Sequence, residues 1–273
     1  VKTGLNPVQK LTAQMPTGTF FSNTEALNSS IGNINTLTAF GYLNYPIKKL
    51  PNWFYSPLTQ TEFQNVNHPW FKIPDFDAKV GDIKGIWEAS RFDWMLDFIL
   101  KFRQQQNSDY LVELDAWLND WCQKNSAYLG PNWKCGQEAS IRVMHLISAL
   151  IGLNQLKASS QNLISLIELH LKRIAPTINY AIAQDNNHGT SEATALFIGG
   201  ALLNSVIPKS EYKDWQDLGR KWLENRAAKL IMQDGGFSQY SVNYHRVMLD
   251  SYCLAETIRQ KLSLPKFSQR LYT

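Results

Sequence analysis

From about Ile83 onward, hydrophobic side chains return every three or four positions, the period of a helix that buries one face. Phe92, Met95/Leu96, Ile99 and Phe102 form one stripe, and Tyr110, Leu114, Trp117/Leu118 and Trp121 a second. Ile141, Met144, Ile147 and Ile151 form a third, and Leu163 to Ile174 a fourth. Three more run through Ala193–Leu203, through Trp215, Leu218, Trp222 and Leu230, and through Val247–Ile258. Breaks fall at Asn107-Ser108, Gly130-Pro131-Asn132, Ser159-Ser160, Asp185 to Gly189, Pro208 and Asp234-Gly235-Gly236. Ser108 and Ser210 stand where N-caps belong, and Pro176 should kink or divide the fourth helix. No alternating strand pattern runs longer than a few residues. The pattern predicts an all-α protein.

Residues 1–80 have a different texture. They hold seven of the eleven prolines and much Asn, Thr and Ser, with Tyr45-Pro46, Leu50-Pro51-Asn52-Trp53 and His68-Pro69-Trp70 as turns carrying aromatics. We expect an irregular arm over 1–80 and a helical domain over 81–273. Seven helices of roughly 15–24 residues joined by short loops favour antiparallel neighbours. The helices starting near 86, 137, 189 and 243 are then the odd-numbered ones, so their N-termini share one rim. Trp87, Glu88, Arg91, Trp133, Gln137, Asn187, His188, Glu192, Tyr240, Tyr244 and His245 gather there. Helix N-termini offer free N–H groups and the positive dipole end, which favours an anion.

Composition narrows the class. Hydrophobic residues make up 44% of 273 and charged residues 18%, which suits a globular core rather than disorder. The longest apolar runs, such as Ala195–Val206, stop short of the roughly 20 residues of a membrane span. Lys2, Asn6 and Lys10 interrupt any apolar opening, so no signal peptide is visible and the compartment stays open. With 27 Lys+Arg against 23 Asp+Glu and no basic run, the chain lacks a nucleic-acid footprint. Cys122, Cys135 and Cys253 form no CxxC pair, which excludes a disulfide scaffold and a Cys-rich zinc site. Five histidines without HxH or HExxH spacing argue against a protein-built metal site, and no cofactor is expected. Nine Trp, eleven Tyr and thirteen Phe are first of all core residues, though an indole face also packs on a sugar ring.

Two segments are dense in chemistry. Asp185-Asn186-Asn187-His188-Gly189 either caps a polar turn or points an amide and an imidazole together into the rim. The run Asp234-Gly235-Gly236-Phe237-Ser238-Gln239-Tyr240-Ser241-Val242-Asn243-Tyr244-His245-Arg246 makes a tight reversal and opens a helix with Tyr, His and Arg in succession. Tyr244 is there either an aromatic anchor or a proton acceptor and donor. Trp87, Glu88 and Arg91, then Trp133, Gln137 and Arg142, add aromatic and polar groups. His68, His145 and His170 are expected to be structural.

These blocks resemble the heparinase II/III-like polysaccharide lyases. The likeness rests on Ile86-Trp87-Glu88-Ala89-Ser90-Arg91-Phe92, on Asn132-Trp133 with Glu138-Ala139-Ser140-Ile141-Arg142, on Asn186-Asn187-His188 with Glu192-Ala193, and on Asp234-Gly235-Gly236 followed by Ser241, Tyr244 and His245. Gly4-Leu5-Asn6-Pro7-Val8-Gln9-Lys10 also looks like the start of members encoded among bacterial surface-polysaccharide genes. The resemblance implies an incomplete (α/α) toroid of helical hairpins and β-elimination on a uronic-acid-containing polysaccharide, with a periplasmic or secreted location. It implies that Asn187 with His188 neutralises the uronate carboxylate, and that Tyr244 protonates the leaving oxygen. Tyr244 or His188 would take the C5 proton, and His245 and Arg246 would position Tyr244. Trp87, Glu88, Arg91, Trp133, Gln137, Arg142 and Tyr240 would line the sugar subsites. Family members continue into a C-terminal β-sandwich that closes the cleft; we expect it to be absent from these 273 residues. The alternatives are a non-catalytic toroid that binds acidic polysaccharide, and an (α/α) glycoside hydrolase drawing on Glu88, Glu192 or Asp234.

Overall fold

The computed structural model describes residues 13–21 and 34–272. Helices dominate. α1 (Lys84–Trp87) runs into a 3-10 turn over Glu88–Arg91, and α2 (Trp94–Gln105), α3 (Asp109–Lys124), α4 (Gly136–Gly152) and α5 (Gln161–Ile174) follow. Then come α6 (Ile178–Ala183), α7 (Asn187–Val206), α8 (Ser210–Leu230) and α9 (Val242–Lys261). Residues 36–82 carry three two-stranded antiparallel hairpins: β1 (Thr36–Ala39) with β2 (Leu43–Pro46), β3 (Tyr55–Ser56) with β4 (Thr61–Glu62), and β5 (Phe76–Asp77) with β6 (Gly81–Asp82). These strands are too short for periodicity to reveal.

Several boundaries differ from the expected ones. The helix expected near 86 is broken by Phe92, whose φ of 68° ends the 3-10 turn, so the long helix starts at Trp94. Lys209, not Ser210, is the N-cap of α8, and Ser210 already lies inside the helix. Ser108 makes no side-chain cap; Asn107 Oδ1 instead accepts the Asp109 N–H at 3.0 Å. Pro176 does divide its helix, because it lacks an N–H and its ring crowds the carbonyl four residues back.

α2 pairs with α3, α4 with α5 and α7 with α8, while α9 packs on α7. α7 is the axis of this arrangement, touching α4, α5, α6, α8 and α9. It is buried without interruption from Gly189 to Leu203, as expected of a helix that is apolar all round. α8 lies against it through glycine on both sides. A Cβ on Gly200 would stand 2.5 Å from Gln216 N, and one on Gly219 would stand 2.6 Å from Ala193 O. No described helix is long and apolar enough to cross a membrane.

The N-terminal region is tied into this core. Trp53 is buried against Trp94 and Trp117, with its indole N–H on Asp120 Oδ2 at 2.7 Å. Phe20 and Phe21 are buried too, and both of their N–H groups donate to Asp115 Oδ1, at 3.2 and 3.0 Å. Ser160 caps α5 by accepting Leu163 N–H and donates to Phe20 O at 2.8 Å. The segment Gly4–Lys10 lies outside the described residues.

Two predictions follow from this packing. Gly219→Ala gains helix propensity but must push α8 off α7, so unfolding by urea should show a net loss of about 1–3 kcal/mol. Burial pushes the Asp115 carboxyl up to about 6, against the two N–H bonds that favour its charge. The folded state then holds more protons than the unfolded one between roughly pH 4 and 6, so Asp115 makes stability fall as pH rises through that window. Asp115→Asn keeps the accepting oxygen and should flatten this slope, leaving the protein about 1–2 kcal/mol more stable at pH 7 relative to pH 4 than the parent. An unchanged pH–stability curve would remove Asp115 as its source.

Candidate functional site

The scaffold beneath the site is a buried cation. Arg142, on α4, is fully enclosed and donates through Nε to His170 Nε2 at 2.8 Å and through Nη2 to Asn132 O at 2.7 Å. His170 Nδ1 in turn meets Leu166 O at 2.8 Å, so His170 is neutral with its proton on Nδ1. The guanidinium carbon lies 5.2, 5.5 and 6.0 Å from the ring centres of Trp121, Trp133 and Phe92. Burial pulls Arg142 down to about 9, opposed chiefly by Glu138. Trp133 is fully buried as well, with Nε1 on Asn125 O at 3.3 Å. Both were expected to line sugar subsites. An enclosed ring cannot stack on a sugar and an enclosed guanidinium cannot reach one, so both are corrected to core residues.

Around this core the rim is assembled from four helix starts. In the Glu88–Arg91 turn, Arg91 binds Glu138 of α4 through two bonds, Nε to Oε2 at 2.8 Å and Nη2 to Oε1 at 3.0 Å. Its Nη1 donates to Glu88 Oε1, and Glu88 Oε2 accepts Phe40 N–H from the β1–β2 turn at 2.5 Å. Burial works against the Arg91 charge, but Glu138 and Glu88 outweigh it and hold the group above its ordinary range. Burial also raises the Glu88 carboxyl, against the pull of Arg91. His145 secures the turn from below, its Nδ1 meeting Arg91 O at 2.7 Å. Trp87 is a buried wedge, donating to Pro131 O at 2.9 Å, and Glu88 is buried with it. Neither is a sugar platform. Arg91, with its side chain 30% exposed, is the group of this turn that reaches the surface.

α7 supplies the next part. Asp185, at φ 50°, makes the turn and pairs with Arg226 at 2.7 Å and Lys229 at 2.6 Å. Asn186 is the N-cap, accepting His188 N–H at 2.9 Å. Asn187 is buried, and its Nδ2 donates to Gln137 Oε1 at 2.5 Å. Its backbone N–H donates to Gln239 Oε1 at 2.7 Å, which joins α7 to the segment before α9. His188 keeps 29% of its side chain exposed, with Nδ1 3.7 Å from Glu192 Oε1.

In that segment Gly235, at φ 83°, turns a small reversal held by Met232 N–H to Gly236 O and Ser238 N–H to Leu230 O. Ser241 caps α9, accepting Tyr244 N–H. Tyr240 is 92% exposed and Tyr244 42%, with Arg246 exposed and His245 half-buried. Among the described residues, no side-chain hydrogen bond joins Tyr244, His245 or Arg246 to Asn187 or His188.

Hydrogen bonds thus draw Arg91, Glu88 and Glu138 into one cluster and Gln137, Asn187 and Gln239 into a second, the two meeting where Gln137 and Glu138 adjoin on α4. Sequence reasoning missed the linking role of Gln239 and the Phe40 N–H. Their partners lie 52 and 48 residues away, and no local spacing announces such contacts. Glu138 was visible in its motif, but its two-bond grip on Arg91 was not. Among the described residues no three His, Cys, Asp or Glu side chains gather as a metal-binding group.

A family model described as Heparinase II/III N-terminus matches residues 33–269, and the chain belongs to that family. Searches of curated proteins and of solved structures gave no match.

Arg142→Met would leave Asn132 O and His170 Nε2 without their donor. We expect it to lower stability by about 2–5 kcal/mol in urea unfolding. A variant of unchanged stability would return Arg142 to the list of ligand-facing residues.

Proposed function

We propose that the protein is a polysaccharide lyase that cleaves a uronic-acid-containing polysaccharide by β-elimination. The observation that carries this reading is Asn187 and His188 together on the first turn of α7, with the Asn187 N–H tied by Gln239 to the segment that leads into Tyr244, in a chain of the heparinase II/III family. Family membership supports polysaccharide as substrate. The same reading arranges residues 81–273 as an incomplete (α/α) toroid behind an arm over 1–80.

The chemistry asks for two things. The C5 proton of a uronate is too weakly acidic to leave until the adjacent carboxylate is neutralised and the developing enolate charge is met by aimed donors. Asn187 Nδ2 and the His188 ring serve that need, with the positive dipole end of α7 behind them. Tyr244 delivers a proton to the departing glycosidic oxygen, and Tyr244 or His188 takes the C5 proton. His245 and Arg246 position Tyr244. Arg91, Gln137 and the exposed Tyr240 contact the flanking sugars. Of the acids the hydrolase alternative would draw on, Glu88 is engaged with Arg91 and Glu192 is buried, which leaves the exposed Asp234 without a second accessible carboxylate among the three.

Incubating the natural full chain with a panel of uronate polysaccharides should raise the ultraviolet absorbance of the unsaturated product. Tyr244→Phe and Asn187→Ala should each cut that rate by about 100-fold or more, with the fold intact by circular dichroism. Near-normal cleavage by Tyr244→Phe would sink the assignment. New reducing ends without absorbance would point to hydrolysis, and binding without either would leave a sugar-holding surface.

A further inference from the structure

Glu192 has no part in the chemistry above, yet the structure is built closely around it. It lies one turn beyond His188 on α7, and its side chain is 4% exposed. Oε1 faces His188 Nδ1 at 3.7 Å, while Oε2 is buried without a hydrogen-bond partner among the described residues. The floor beneath the carboxylate is Gly136, the first residue of α4. A Cβ there would stand 2.7 Å from the carboxyl carbon and from both oxygens, so a side chain at this position would displace the acid from where it lies. The start of a helix is also where a carboxylate is best tolerated.

Leaving a carboxylate half-unpartnered in an interior is unfavourable, and a neutral side chain of the same shape would avoid the cost. Burial raises the Glu192 carboxyl, and the strongest opposing influence is His188, with Arg173 of α5 behind it. Cys135, just before α4, is the other titratable neighbour on this side. The pair therefore points at the imidazole. A neutral histidine exchanges between two tautomers, and the partner of one ring nitrogen decides what the other can do. At 3.7 Å the two are not closed into a hydrogen bond, and such contacts tighten when a ligand fills the site.

We propose that Glu192 is a positioning residue for His188, fixing its proton on Nδ1 so that Nε2 is the atom left to accept a proton. The role gains its meaning from the lyase reading of His188, but the tautomer is measurable without any substrate. In 15N-histidine-labelled protein, His188 is assigned by the signals lost in His188→Gln. The parent protein should show neutral His188 protonated mainly on Nδ1. Glu192→Gln, which keeps an accepting oxygen but no charge, should retain that tautomer. Glu192→Leu should move the proton to Nε2. A parent protein with His188 mainly protonated on Nε2 would overturn the proposal, and so would a folded Glu192→Leu variant whose His188 keeps its proton on Nδ1. The parent measurement needs no variant to fold, and these outcomes stand whether or not any polysaccharide is cleaved. Where cleavage is found, Glu192→Gln should lower kcat by about 10- to 100-fold with KM little changed, whereas a raised KM with unaltered kcat would overturn the proposal.

Discussion

A guanidinium enclosed on all sides, with no carboxylate bonded to it, is the most demanding group in this interior, and much of the structure is arranged to satisfy it. Arg142 is tolerated because two neutral acceptors, His170 Nε2 and Asn132 O, take its Nε and Nη2 protons and three aromatic rings lie within 6.0 Å of it, while its buried Nη1 has no hydrogen-bond partner among the described residues. Those partners come from four pieces of chain: the turn ending at Phe92, α3, the Gly130–Lys134 loop and α5. Holding one cation therefore fixes the middle of α4 relative to each of them. That loop is fixed from other sides as well, through Asn132 to Trp53 O and Asn125, and through Arg173 to Trp133 O. Its Pro131 carbonyl then receives Trp87, which sets the turn that carries Arg91.

The site inherits its geometry from this order of support. Arg91 is held by Glu138 and Glu88, so it presents a fixed edge instead of a free cation. With one guanidinium between two carboxylates, this corner of the rim is not strongly positive. Any attraction for a polyanion has to come from the helix starts and from cations farther out, such as Arg246. Asn187 is fixed on both its side chain and its backbone, by Gln137 and Gln239. The α9 side is different in kind: Tyr240 stands exposed just before the helix and Tyr244 on its first turn.

The helical class and most of its segments could be read from the three-to-four-residue period, because each helix buries a continuous stripe. α7 was recognisable for the opposite reason, having no polar face beyond its first turns. The short hairpins of the arm were not legible, since strands of two to four residues carry no usable period. Helix starts were misplaced where backbone conformation decides, as at Phe92, which takes a left-handed φ that no propensity rule assigns to it. In the site, Asn187 and His188 could be picked out as polar groups at a helix start. Trp133 and Arg142 misled because their residue types suit sugar binding equally well. Only burial separates a Trp that stacks on a ligand from one that stacks on a neighbouring arginine.

α7 is at once the axis of the core and the bearer of Asn187 and His188. Its amides from Gly189 onward have no route to water short of separating α4, α8 and α9 from it. Hydrogen exchange from Gly189 onward should therefore follow opening of the core itself, so Glu192 shares the stability of the fold, whereas Asn187 and His188 lie on the turn before this protected stretch.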